Sequence, residues 1–112
     1  MKSTIAHHDY LMKILADPME AAAYLNAVAE DGEIKYILKA LRNVIEAQGG
    51  IGKLAKKTKM SRTSLYKTLS PAGNPEVGTL DTILANYGIR IGFFPIHQSG
   101  HHRASAHYTD AR

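Results

Sequence analysis

From Tyr10 to Leu84 the apolar residues of this chain recur every third or fourth position, and only beyond Gly88 does the spacing shorten to alternation. The first period belongs to helices with one buried face, the second to a strand. Tyr10, Leu11, Ile14 and Leu15 have the helical spacing without a clear cap, so residues 1–16 read either as a short N-terminal helix or as an arm that orders on binding. Asp17-Pro18-Met19-Glu20 is the first strong helix start. Asp17 can cap, Pro18 takes the first helical position, where its missing N–H is no loss, and Glu20 can reach back as the third member of a capping box. That helix continues through Ala21 to Glu30, with Ala21, Tyr24, Leu25 and Val28 on one face, and Asp31-Gly32 ends it. A second helix runs from about Glu33 to Gln48 on a stripe of Ile34, Ile37, Leu38, Leu41, Val44 and Ile45. Gly49-Gly50 stops it through the left-handed conformation that glycine permits.

The stretch from Gly49 to Ser70 then reads helix, tight turn, helix. Ile51, Leu54, Ala55 and Thr58 fall on one face of a short helix and leave Lys53, Lys56 and Lys57 to solvent. Lys59 and Met60 lie where the chain must bend. Ser61 is a favoured N-cap for the next helix, whose Leu65 and Leu69 turn inward while Arg62, Thr63, Ser64, Tyr66 and Lys67 point away. Leu54, Ala55, Met60, Leu65 and Leu69 are core by this pattern. Pro71-Ala72-Gly73-Asn74-Pro75 is a loop, and Thr79 is expected to cap a last helix from Leu80 to Tyr87, stopped by Gly88.

Ile89 to Phe94 is rich in strand formers, with Ile89, Ile91 and Phe93 to one side, Arg90 and Phe94 to the other, and Pro95 to close it. A lone strand leaves its backbone donors and acceptors unpaired, and its two-fold mate is the simplest completion. Ile89, Ile91 and Phe93 are therefore the expected contact of a homodimer. Residues 97–112 have no apolar periodicity and read as a disordered tail. The expected fold is mainly all-α, with five helices and one short C-terminal strand in a single domain over residues 17–96.

Charge sharpens this picture. The net charge is +4, but residues 1–48 hold five basic and seven acidic groups, residues 49–70 six basic and none acidic, and residues 71–112 three of each. A basic helix face is ordinarily just solvated, yet complete segregation of cations onto two helices that meet at a turn is what a reader of the DNA major groove requires. The expected DNA-facing set is Lys53, Lys56, Lys57, Ser61, Arg62, Thr63, Ser64, Tyr66 and Lys67. Arg62 is placed to read guanine through a bidentate contact. Thr63, Ser64 and Tyr66 can offer hydroxyls to bases or phosphates, and Lys53, Lys56, Lys57 and Lys67 can hold the backbone. For Tyr66, burial against the first helix of the pair is the competing reading.

Other chemistry is not in evidence. Gly49-Gly50-Ile51-Gly52-Lys53 invites comparison with a phosphate loop, but that motif needs a glycine where Ala47 stands and a Ser or Thr where Leu54 stands. The histidines, at 7, 8, 97, 101, 102 and 107, lie in terminal segments without ligand spacing, so no metal and no cofactor is expected. No Gly-x-Ser-x-Gly turn arranges a nucleophile, and no enzyme is expected. The chain has no cysteine, which fits a reducing compartment. With no apolar run near the roughly 18 residues of a membrane span and no signal peptide in residues 1–10, the expectation is a cytoplasmic protein without membrane contact.

Residues 17–27 (DPMEAAAYLNA), Ala47-Gln48-Gly49-Gly50, Leu54-Ala55, and the run from Met60 to Ser70 with Gly73-Asn74-Pro75 resemble the addiction-module antidote proteins, prophage-associated relatives of the Cro and phage-repressor helix-turn-helix superfamily. The resemblance spans Asp17 to Phe94 and departs from the family pattern at Lys59, where glycine is usual. It implies a bacterial antitoxin that binds a small ribonuclease-type toxin encoded beside it and represses their shared operon at a pseudo-palindromic operator. Two alternatives stay open on the residues alone: a toxin-neutralising protein whose helix pair is only a scaffold, and a prophage regulator without a toxin.

Overall fold

The structure, a computed structural model, describes residues 2–96, with side chains from Ala6 onward. Six helices follow one another: α1 (Lys2–Leu15), α2 (Pro18–Ala29), α3 (Ile34–Ala47), α4 (Ile51–Thr58), α5 (Arg62–Thr68) and α6 (Val77–Ala85). α1 packs on α2 and α3, which also pack on each other, while α4 packs against α3, α5 and α6.

The start of α2 follows the capping rules in part. The Asp17 carboxylate accepts from the Met19 N–H at 3.0 Å and Pro18 opens the helix. The reciprocal half of the expected capping box is absent because the Asp17 N–H already donates to the Ile14 carbonyl at 3.1 Å, leaving nothing for Glu20 to bind. α3 carries the apolar stripe of the chain, burying Leu38, Leu41, Val44 and Ile45 together with Ala40. Its end is closed by the Gly50 N–H, which reaches back five residues to the Ile45 carbonyl at 2.8 Å with Gly49 and Gly50 both at positive φ.

Two clusters of buried side chains share α3. Leu38, Leu41 and Ile45 meet Leu54, Leu65, Leu69 and Ile83 on one side. Leu15, Ala21 and Val44 meet on the other. Leu25 and Tyr87 pack against both clusters and join them into one core. Burial there pushes the Tyr87 hydroxyl up to about 12, so it stays neutral near pH 7.

Residues 2–15 are therefore a docked helix, not an arm. Leu15 is fully buried, the Gln48 side-chain amide donates to the Leu15 and Ala16 carbonyls at 3.0 Å each, and His8 Nε2 lies 3.0 Å from the Glu46 carboxylate. The described residues thus form six helices where five were expected.

Two further expectations are corrected. α6 begins at Val77, with Glu76 and not Thr79 in the N-cap position, because the chain is already extended at Glu76 as it leaves Pro75 and its carbonyl accepts from the Leu80 N–H at 3.0 Å. Among the described residues there is no strand: residues 89–96 have no regular structure. The alternation is broken at its first member, since the Ile89 N–H donates to the Leu84 carbonyl at 3.0 Å and its side chain packs on the Leu15 cluster. Ile91 is partly buried, and Phe93 is 91% exposed. The tail expected at 97–112 lies outside the described residues.

The loop after α5 depends on one missing side chain. A Cβ on Gly73 would fall 1.9 Å from the Thr68 carbonyl oxygen and 2.6 Å from its carbon, while the Gly73 N–H donates to Ser70 at 2.8 Å. Backbone cannot step aside as a flexible side chain can. Gly73→Ala should accordingly lower stability by about 1–3 kcal/mol in urea denaturation. Gly78→Ala, whose Cβ meets nothing within 4 Å, should leave stability unchanged or raised.

Candidate nucleic-acid interface

α4 and α5 meet through a turn whose every bend has a local cause. Lys59 sits at φ 63°, ψ 21°, the left-handed region, and is the sole non-glycine residue at positive φ among the described residues. Its N–H closes α4 on the Ala55 carbonyl at 2.9 Å. The Thr58 hydroxyl donates to the Leu54 carbonyl at 2.9 Å and accepts from the Met60 N–H at 3.3 Å, satisfying a donor the turn would otherwise leave free. Met60 packs on the main cluster. Ser61 then caps α5, its hydroxyl accepting from the Ser64 N–H at 3.0 Å.

Lys59 holds a conformation that costs a residue with a Cβ about 1–2 kcal/mol. Lys59→Gly should raise the melting temperature, read by circular dichroism. An unchanged or lower value would show that the turn does not strain Lys59.

All nine residues expected to face DNA are exposed. Burial of Leu65 and Leu69 fixes the rotation of α5, so Arg62, Thr63, Ser64, Tyr66 and Lys67 face outward. Ser61 belongs to this surface, but its hydroxyl is engaged in the cap. The lysines of α4 divide. Lys56 lies one turn after Gly52, the residue against which the Arg62 guanidinium rests. Lys53 and Lys57 lie one turn apart on the neighbouring flank, where they line a small cleft with Gln48, Asn86 and Tyr87. No described carboxylate forms an ion pair with any cation of α4, the turn or α5, so their field is directed at solvent.

Tyr66 is not core. It is 61% exposed and stands at the wall of a groove of about 350 Å³ whose other walls are Arg42, Ile45, Glu46, Gly50, Ile51 and Leu69.

One supporting residue escapes a reading confined to residues 49–70. Arg42 of α3 donates from Nη1 to the carbonyl of Leu69, the residue that ends α5. A cation at this point satisfies a free carbonyl and opposes the negative end of the helix dipole, tying α5 to α3. The sequence marks only its place, four residues after Leu38 and three before Ile45 on the edge of the apolar stripe of α3, and not its partner 27 residues further on.

Among the described residues no group of three His, Cys, Asp or Glu side chains is placed to hold a metal, and no helix is long and apolar enough to cross a membrane.

Residues 4–95 match the family described as "Probable addiction module antidote protein". An "Uncharacterized protein" of Haemophilus influenzae (strain ATCC 51907 / DSM 11121 / KW20 / Rd) is 31% identical over 85 residues, which make up 76% of this chain and 84% of that protein. No solved structure matches the chain.

Proposed function

Because the chain belongs to the addiction module antidote family, whose match runs from residue 4 to residue 95, we propose that it is an antitoxin that neutralises a small toxin protein and represses their common operon by binding its operator through α4 and α5. The observation that carries the DNA-binding part is the segregation of charge. Six cations and no anion occupy residues 49–70, and all the cations there are exposed on one two-helix unit held by Leu54, Leu65 and Leu69. In this reading α4 and α5 form a helix-turn-helix of the Cro and phage-repressor type, with α5 in the major groove. Arg62 in its first turn reads a base, Thr63, Ser64 and Tyr66 offer hydroxyls, and Lys53, Lys56, Lys57 and Lys67 hold phosphates.

The protein acts as a homodimer in this proposal. Phe93, Phe94 and Ile96 expose 91%, 72% and 95% of their surface in one short segment, which a second copy would cover. Ile89 is withdrawn into its own core, so the contact falls on Ile91 and the residues after it. Two-fold symmetry would then present two copies of α5 to a pseudo-palindromic site.

Fluorescence anisotropy with the duplex upstream of its own gene, against a scrambled duplex of equal composition, tests the reading. Tight binding to the first alone is expected, and Arg62→Ala should cost about 1–3 kcal/mol on that duplex and relax discrimination at one base position. Equal loss on both duplexes would sink the base-reading role. Co-expression with the small protein encoded beside it tests the toxin partner, a stable co-purifying complex being the expected result.

A further inference from the structure

The Arg62 side chain does not project freely from α5; it lies back on α4. A Cβ placed on Gly52 would be 2.7 Å from a terminal guanidinium nitrogen of Arg62, 3.2 Å from Cζ and 3.6 Å from Nε. Much of the guanidinium group therefore rests on the space that a side chain at position 52 would fill. Gly52 is the second residue of α4 and Arg62 the first of α5, so the contact spans the two helices at their N-terminal ends.

Glycine is not needed at position 52 for its backbone. Gly52 does not lie at positive φ, unlike Gly49 and Gly50 just before it. Inside a helix alanine is the better former, so glycine here weakens α4 unless the empty space has a use. The three atoms nearest to it all belong to one side chain, Arg62. An arginine reads guanine through a planar fork whose two N–H groups must arrive together in the plane of the base, so its orientation decides discrimination more than its charge does.

We infer that Gly52 is a specificity-determining position, seating the Arg62 guanidinium in one orientation and so fixing the base it meets. Gly52 is a positioning residue: it acts through Arg62. The inference rests on the reading of α5 as the DNA-facing helix, and Gly52→Ala is the variant that isolates it. The methyl group displaces only the far end of a flexible side chain, so the fold is retained.

A double-mutant cycle of wild type, Gly52→Ala, Arg62→Ala and the double variant, by anisotropy on the upstream and scrambled duplexes, is the test. Gly52→Ala is expected to lower the upstream-to-scrambled affinity ratio about tenfold in the wild-type background and to leave it unchanged in the Arg62→Ala background. Its melting temperature should equal or exceed that of wild type. The same loss in both backgrounds would overturn the inference, since Gly52 would then serve a close approach of its own backbone to DNA. An unchanged ratio in Gly52→Ala would overturn it too. A wild type that does not distinguish the two duplexes would instead defeat the DNA reading on which the inference stands.

Discussion

Alanine at Lys53, Lys56 and Lys57 together is expected to reduce the salt dependence of DNA binding by about three units of log–log slope. Each lysine is exposed and none is paired with a described carboxylate, so each is free to replace a counterion on a phosphate. At about 0.9 units per phosphate, three lost contacts amount to a factor of about 40 in how much a fourfold rise in salt weakens the complex. The loss should fall on upstream and scrambled duplexes alike, because phosphates carry no sequence. Lys53 and Lys57 share one flank of α4 and Lys56 lies nearer Arg62, so single variants should separate the two groups. An unchanged slope would mean that the α4 cations are merely solvated.

Leu15→Ala is expected to lower the unfolding free energy by about 2–5 kcal/mol in urea denaturation. Leu15 is 0% exposed and, among the described side chains of α1, is the one fully buried, against Ala21 and Val44. Its truncation leaves a cavity that the helices close only in part, since the Gln48 amide ties the adjoining carbonyls of Leu15 and Ala16 in place. A terminal arm ordering only on binding would give a change within about 0.5 kcal/mol. The experiment thus decides whether residues 2–15 are part of the folded unit.

The elements that could be read in advance are those whose causes are local. Gly32 and Gly49-Gly50 end α2 and α3 because only glycine adopts their conformation cheaply. Ser61 caps α5 through its own hydroxyl, and the inward pull of Leu65 and Leu69 leaves the remaining α5 side chains outside. The bend at Lys59 and Met60 is also local, but the left-handed conformation of Lys59 is suggested only by the glycine usual there in the proteins it resembles. What could not be read depends on contacts distant in the chain. α1 carries no cap signal in its sequence and is held by Val44 and Glu46 of α3 and by Gln48 at the C-cap of that helix. The strand expected at residues 89–94 failed because alternation says nothing of what lies opposite, and Ile89 packs against the cluster that Leu15, Ala21 and Val44 form. Arg42 and Gly52 belong with these: one supports α5 from α3, the other accommodates a side chain ten residues further on.

If α4 and α5 form the surface that meets DNA, their backbone amides must respond to it. Titration of the isotopically labelled protein with its own upstream duplex, followed through backbone amide chemical shifts, tests that directly. The largest changes are expected to cluster at residues 50–57 and 61–67, with α1 and α2 near their free positions. Changes centred on α1 and α2, or none at all at duplex concentrations in excess of protein, would contradict it.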